Sequence, residues 1–146
     1  MKQQVRIKKL NTQAVVPSYG TAFAAGADLY ACLETPVTSE PGETFLVHTG
    51  ISMEIPEGFA GLIYARSGLA TKKGLAPANK VGVIDADYRG EIMVPLHNHS
   101  KAAASIENGE RIAQMVITPF LTADFIETQS LDETERGAGG FGSTGR

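Results

Sequence analysis

Cysteine is almost absent: Cys32 is the only one in 146 residues, so no intrachain disulfide can form and the chain fits a reducing compartment. Long apolar runs are missing too. No stretch approaches the ~20 residues that span a bilayer, and the N-terminus enters alternating charged and apolar residues without the apolar centre of a signal peptide. These absences predict a cytoplasmic protein with no membrane partner. A basic face is also lacking. Against 16 Asp+Glu stand 13 Lys+Arg, for a net charge of -3, and only Arg6-Ile7-Lys8-Lys9 departs from an even mixture. Non-specific nucleic-acid binding is thereby excluded as an expectation. No internal repeat is present. What remains is a chain of single-domain length that is 42% hydrophobic, enough to bury a core.

The apolar residues recur mainly with period two, the signature of half-buried strands. Val5 to Ile7, Thr44 to His48, Ile51 to Ile55 and Phe59 to Tyr64 carry it most clearly. Further strands are predicted at Val81 to Ile84, Glu91 to Asn98, Ile112 to Phe120 and Asp124 to Glu127. Pro41-Gly42, Thr49-Gly50, Pro56-Glu57-Gly58 and Asn108-Gly109 punctuate them with the turn chemistry of antiparallel sheets. Only Ser67 to Lys73 invites a helix, with Ser67 as its cap and Gly74 as its end. The sum is an all-β barrel or jelly roll with one short helix. It would occupy residues 1–135, leaving 136–146 as a flexible arm with five glycines (Gly137, Gly139, Gly140, Gly142, Gly145). Such a segment loses much entropy on ordering and buries little, so it should stay mobile until something binds it.

Five pieces of sequence could carry chemistry. Asp28 in Ala25-Gly26-Ala27-Asp28-Leu29, taken alone, reads as a turn carboxylate beside glycine. Arg66-Ser67-Gly68 is either a strand exit with a helix cap or an anion site, since a guanidinium fork, a hydroxyl and free backbone N–H groups suit phosphate oxygens. Asn79 to Glu91 is more informative. Two apolar strands there meet at a turn with Asp85, Asp87 and Tyr88, and a merely structural turn has no need of an aromatic ring. Gly109 to Met115, which includes Gln114, reads alone as a turn and a strand. The glycine-rich arm is not a Walker loop, because Phe141-Gly142 rather than a lysine precede Ser143-Thr144 and no room for a helix follows. It could be a plain tail, or an arm whose amides and hydroxyls fold over a polyphosphate. His97 and His99 alternate along one predicted strand, but without a third ligand nearby they read as an ordinary histidine pair.

In order and in conjunction, these five pieces resemble the five motifs of the trimeric dUTPase family, across nearly the whole chain from Ala25 to Gly145. One departure is Ala65 before Arg66, where the family often has proline; it should change local stiffness and leave phosphate contacts alone. The resemblance implies a jelly-roll-like β-clip fold in a homotrimer whose active sites lie between subunits, with the C-terminal arm crossing to a neighbour. It implies hydrolysis of dUTP to dUMP and pyrophosphate, which limits uracil incorporation into DNA and supplies dUMP for thymidylate synthesis. Asp85 would be the general base toward a water attacking the α-phosphorus. Magnesium (Mg2+) would bridge the triphosphate, held by Asp28 through water. Asn79, Gly82, Val83 and Ile84 would bind the uracil edge, and Tyr88 would lie under the deoxyribose. Arg66, Ser67, Gly68 and Gln114 would hold phosphates, joined by Arg136, Gly142, Ser143 and Thr144 of the arm, with Phe141 stacking on uracil. Two rivals stand beside this reading: a deoxycytidine triphosphate deaminase of the same fold, which would need a catalytic glutamate where Asp85 and Tyr88 stand, and a non-catalytic regulatory member of the fold.

Overall fold

Alternating side chains give strands only where a neighbouring backbone completes the hydrogen bonds, and the computed structural model, which describes residues 1–143 and Gly145, shows where that happens. The described residues form β1 (Arg6–Lys9), β2 (Ser18–Tyr19), β3 (Ala27–Tyr30), β4 (Val37–Ser39), β5 (Thr44–His48), β6 (Ile51–Glu54), β7 (Phe59–Tyr64), β8 (Leu75–Pro77), β9 (Gly82–Ile84), β10 (Met93–Asn98), β11 (Ala104–Ile106) and β12 (Arg111–Pro119). They pair antiparallel in a five-stranded sheet ordered β2-β3-β12-β7-β9, a three-stranded sheet β5-β10-β8, and two ribbons, β1-β6 and β4-β11. The mostly-β architecture expected from the sequence is therefore present.

Between the sheets lies one apolar core. Along β10 burial alternates strictly, so Val94 and Leu96 point inward, where they meet Leu29, Val47, Ile51, Leu75, Ile92, Ile106 and Ile112. Burying each such side chain contributes about 1.5–3 kcal/mol. Asn98 is the polar exception in this row, and every one of its groups is used. Its Nδ2 donates to the carbonyls of Ser39 (3.0 Å) and Ala102 (2.9 Å), and its Oδ1 accepts from the Ser100 N–H and hydroxyl. A buried amide so satisfied ties β4 to the β10–β11 connection at little cost.

Four expectations need correction. The helix is a single π-helical turn, Leu69–Lys73, ended as expected by Gly74 in the left-handed region (φ 69), but Ser67 does not cap it. Gly68 is itself helical and no side chain caps the turn; the Ser67 carbonyl instead accepts the Thr71 hydroxyl at 2.7 Å. Secondly, the strands flanking Asp85 to Tyr88 do not make a hairpin. β9 pairs with β7, while β10 pairs with β5 and β8, so the turn crosses from one sheet to another. Thirdly, Asp28 lies within β3, flanked by β2 and β12, and not in a turn. Lastly, 124–127 is no strand: residues 120–138 are exposed throughout, and no strand among the described residues pairs with 124–127.

Candidate functional site

The outer face of the five-stranded sheet gathers three of the five pieces. Across β2, β3, β12 and β7, Ser18 stands opposite Asp28, Asp28 opposite Gln114, and Gln114 opposite Tyr64, so their side chains share one face. Arg66, two residues beyond the end of β7, donates from Nε to Asp28 Oδ1 at 2.8 Å. The Asp28 side chain is only 13% exposed and that of Arg66 26%, which makes this a partly desolvated, charge-assisted bond worth about 1.5–3 kcal/mol. Among the described residues the bond uses only Nε of the guanidinium, so the outer fork stays available for an anion. Gln114 Nε2 donates to the Ala65 carbonyl at 2.9 Å, fixing the chain just before Arg66. Gly26 makes room for it, since a Cβ there would overlap the Gln114 amide.

Arg111 is a member of this cluster that sequence reasoning missed. Its Nη1 lies 3.6 Å from Asp28 Oδ2. Strict alternation would put Arg111 and Gln114, three residues apart, on opposite faces of β12. A register shift between Arg111 and Ala113 adds one residue to β12 against β3, so both face outward while Ile112 and Ala113 are both buried. The odd spacing of two polar residues within an otherwise apolar strand was the available signal.

Ser67 and Gly68 follow Arg66 on the exposed start of the helical turn, and a Cβ on Gly68 would meet nothing within 4 Å. Steric demand for glycine there does not come from the chain itself. The fit to a magnesium ion is of a particular kind. Among the described residues no three His, Cys, Asp or Glu side chains gather to hold a metal, and Asp28 is engaged by two guanidiniums. A carboxylate retains lone pairs after two such contacts, so Asp28 can still accept from a metal-bound water. This suits an ion brought in on phosphate oxygens rather than one caged by protein.

The third piece occupies the far edge of the same sheet. β9 is bonded to β7 alone, leaving its outer backbone edge unpaired among the described residues. Its approach is strained: Lys80 sits at φ 66 inside a γ-turn closed by the Val81 N–H donating to the Asn79 carbonyl at 2.7 Å. Gly82 packs against Ile63, with the Asn79 amide nearby, while Val83 is exposed. Asp85 is exposed at the head of the turn and its carbonyl accepts the Tyr88 N–H at 3.2 Å. Arg89 pins that turn, donating from Nη1 to the Ala86 carbonyl at 2.7 Å.

The two groups do not meet within one chain. Ile84 pairs with Gly61, and Arg66 lies five residues further along, so the Asp85 end of β9 and the Arg66 end of β7 stand about 17 Å apart at ~3.4 Å per residue. Among its described residues the arm joins neither group. Arg136 Nε donates to its near neighbour Gly139 at 2.9 Å, Phe141 is fully exposed in a turn with Gly142 and Ser143, and Thr144 lies outside the described residues. Both histidines have ordinary partners: His97 Nδ1 lies 2.9 Å from the Thr44 hydroxyl, and His99 Nε2 lies 3.1 Å from the Ala70 carbonyl. No helix among the described residues is long and apolar enough to cross a membrane.

Comparison with known proteins converges on one family. The dUTPase family model matches residues 12–145. A deoxyuridine 5'-triphosphate nucleotidohydrolase of Nautilia profundicola is 51% identical over 143 residues, covering 98% of this chain and 99% of that protein. Among solved structures, a dUTPase mutant of Staphylococcus bacteriophage 80alpha with dUpNHpp superposes with a TM-score of 0.90 at 28% identity, over 99% of this chain and 100% of that one. A dUTPase mutant from phage phi11 of S. aureus, described with a coordinated structural Mg(II) ion, shares the fold with a TM-score of 0.80 over 90% of this chain and 100% of that one, at 24% identity.

Proposed function

The chain belongs to the dUTPase family, and we infer from this membership that it hydrolyses dUTP to dUMP and pyrophosphate. The observation that carries the reading of its site is the Asp28, Arg66 and Gln114 cluster on one face of a sheet whose edge strand leads into Asp85 and Tyr88. Arg66, Ser67, Gly68 and Gln114 hold the phosphates. Asp28 orients Arg66 through the 2.8 Å bond, presenting the guanidinium fork outward.

Asp85 is the general base. It accepts a proton from a water as the oxygen attacks the α-phosphorus, the bond from that phosphorus to the oxygen bridging it to the β-phosphorus breaks, and pyrophosphate departs with that oxygen. When bound, Mg2+ neutralises charge on the triphosphate, with Asp28 accepting from its waters. The free edge of β9 supplies main-chain N–H and C=O groups to the uracil edge, with Asn79 beside Gly82, Val83 and Ile84. Such groups reject cytosine because its amino group would leave them unpaired. Tyr88 lies under the deoxyribose and leaves no room for a 2′-hydroxyl.

The ~17 Å between the two groups supports a homotrimer in which one subunit's phosphate cluster faces another's Asp85 turn. So do the apolar side chains left on that face: Val116, Leu62 and Val83 stand in one cross-strand row, and Val83 is 61% exposed. The domain is residues 1–135, and the arm, 136–146, supplies Arg136, Phe141, Gly142, Ser143 and Thr144 to a neighbour's site.

The test is pyrophosphate release from dUTP, dCTP, dTTP and UTP, each with Mg2+ and with chelator. Rapid release from dUTP alone, lost in chelator, is the expected result. Ammonia release from dCTP would instead identify a deaminase, and binding without turnover a regulatory member of the fold.

A further inference from the structure

Two sets of contacts meet at Glu91. Its main-chain oxygen accepts the Tyr88 hydroxyl at 2.9 Å. Its carboxylate reaches the other way, accepting the Gly50 N–H at 3.2 Å and lying 2.9 Å from His48 Nδ1. A carboxylate is an acceptor, so Nδ1 is the donor in that contact. The anchor has no slack: Gly50 sits at φ +68, and a Cβ there would press on Ala14 Cβ at 2.9 Å and Cys32 Sγ at 3.0 Å. The following residue is fixed to the same turn, for the Ile92 N–H donates to the Ile51 carbonyl at 2.8 Å and the Thr49 hydroxyl donates to the Ile92 carbonyl.

The Tyr88 ring is held from the Gly90 side as well. It lies so close over Gly90 that a Cβ there would overlap the phenol. Ring height is thus set by a bare Cα on one side and by the oxygen of Glu91 at its tip, while 40% of the tyrosine stays open to solvent. A chain of contacts runs from the β5–β6 turn, through the Glu91 side chain, to the ring.

We propose that Glu91, backed by His48, is a positioning residue for sugar selection: it fixes the height of the Tyr88 ring and so the discrimination between dUTP and UTP. The proposal rests on the reading that places Tyr88 under the deoxyribose. The Glu91 carbonyl stays held through its own planar peptide by the Ile92 N–H, so releasing the carboxylate frees the Gly90 side of Glu91 and the surface on which the ring rests, and a small outward drift there opens space for a 2′-hydroxyl. Glu91 itself touches no substrate in this arrangement.

The experiment measures kcat and KM for dUTP and UTP, with Tm, in the full-length protein and in Glu91→Ala, Glu91→Gln, His48→Ala and Tyr88→Ala. Glu91→Ala is expected to lower the dUTP-over-UTP ratio of kcat/KM about tenfold, chiefly by raising the value for UTP. Glu91→Gln, which retains an acceptor for the Gly50 N–H, should hold the ratio within about twofold of wild type. His48→Ala removes one of two partners at an exposed strand position and should lower the ratio about threefold, which keeps the test available if Glu91→Ala folds poorly. A lowered Tm with both substrates slowed alike and the ratio unchanged would overturn the proposal and leave Glu91 a structural residue. Tyr88→Ala separates the two levels: if it abolishes discrimination while Glu91→Ala and His48→Ala do not, only the positioning role fails. If Tyr88→Ala leaves the ratio intact, the sugar-selection reading fails with it.

Discussion

The Asp28 cluster and the C-terminal arm differ in how far their geometry is set within the chain. Asp28 and Gln114 sit on paired strands and Arg66 just beyond a third, with the 2.8 Å bond from Arg66 to Asp28 and the 2.9 Å bond from Gln114 to the Ala65 carbonyl setting their geometry before any ligand arrives. The described residues of the arm, 136–143 and Gly145, are exposed or half-buried and hydrogen-bond only among themselves and to Thr134, and the stretch that leads to them, 120–135, leaves Leu121, Phe125 and Leu131 each at least 88% exposed. Preorganised groups cost little to use, whereas an arm must lose entropy on closing and so gives a conditional, ligand-dependent contribution. The Asp85 turn stands between these extremes, rigid in its own chain but ~17 Å along the sheet from the cluster it would serve.

Substitutions can break this contrast, and the largest effect belongs to the turn. Asp85→Asn should lower kcat by about 10²–10⁴ with Tm unchanged, as steady-state kinetics and thermal melts would show, because it removes the proposed base from an exposed position. Ending the chain at Glu135 should lower kcat/KM by roughly 10² while Tm moves by no more than a few degrees, because the described residues beyond Glu135 are exposed or half-buried and hydrogen-bond only among themselves and to Thr134. A large loss of Tm would place the arm in the folded core. Arg66→Ala should do both kinds of harm, weakening substrate binding and costing about 1.5–3 kcal/mol in denaturant unfolding, since it leaves Asp28 without its closest cation. Gly68→Ala sharpens the contrast with the smallest effect: Tm should hold, because a Cβ meets nothing within 4 Å, while KM for dUTP rises several-fold where phosphate approaches the backbone.

Thr44–His48 and Phe59–Tyr64 were legible in the sequence to the residue, because continuous alternation coincides there with real neighbours on both sides or a core beneath. β3 was not, since Gly26 and Asp28 carry turn chemistry that pairing with β2 and β12 overrides. β4, β8 and β11 are three residues each, too short to show a period. At Asp124 to Glu127 the error ran the other way, β-prone residues lacking any partner backbone among those described. Asp28, Arg66 and Gln114, which the fold brings together, could be named from the sequence, while the contacts of Arg111 and Glu91 could not. One depends on a bulge that turns two side chains to a common face, the other on a contact 41 residues away in sequence.

Mixing two variants tests whether a complete site needs more than one copy of the chain. Asp85→Asn and Arg66→Ala, each impaired alone, should be unfolded together, refolded as a mixture and assayed for pyrophosphate release from dUTP. If the phosphate cluster of one subunit works with the Asp85 turn of another, about a quarter of the mixed sites carry both intact halves and activity returns to that level. Activity no higher than that of the two variants refolded separately would contradict a shared site and put both halves back in a single chain.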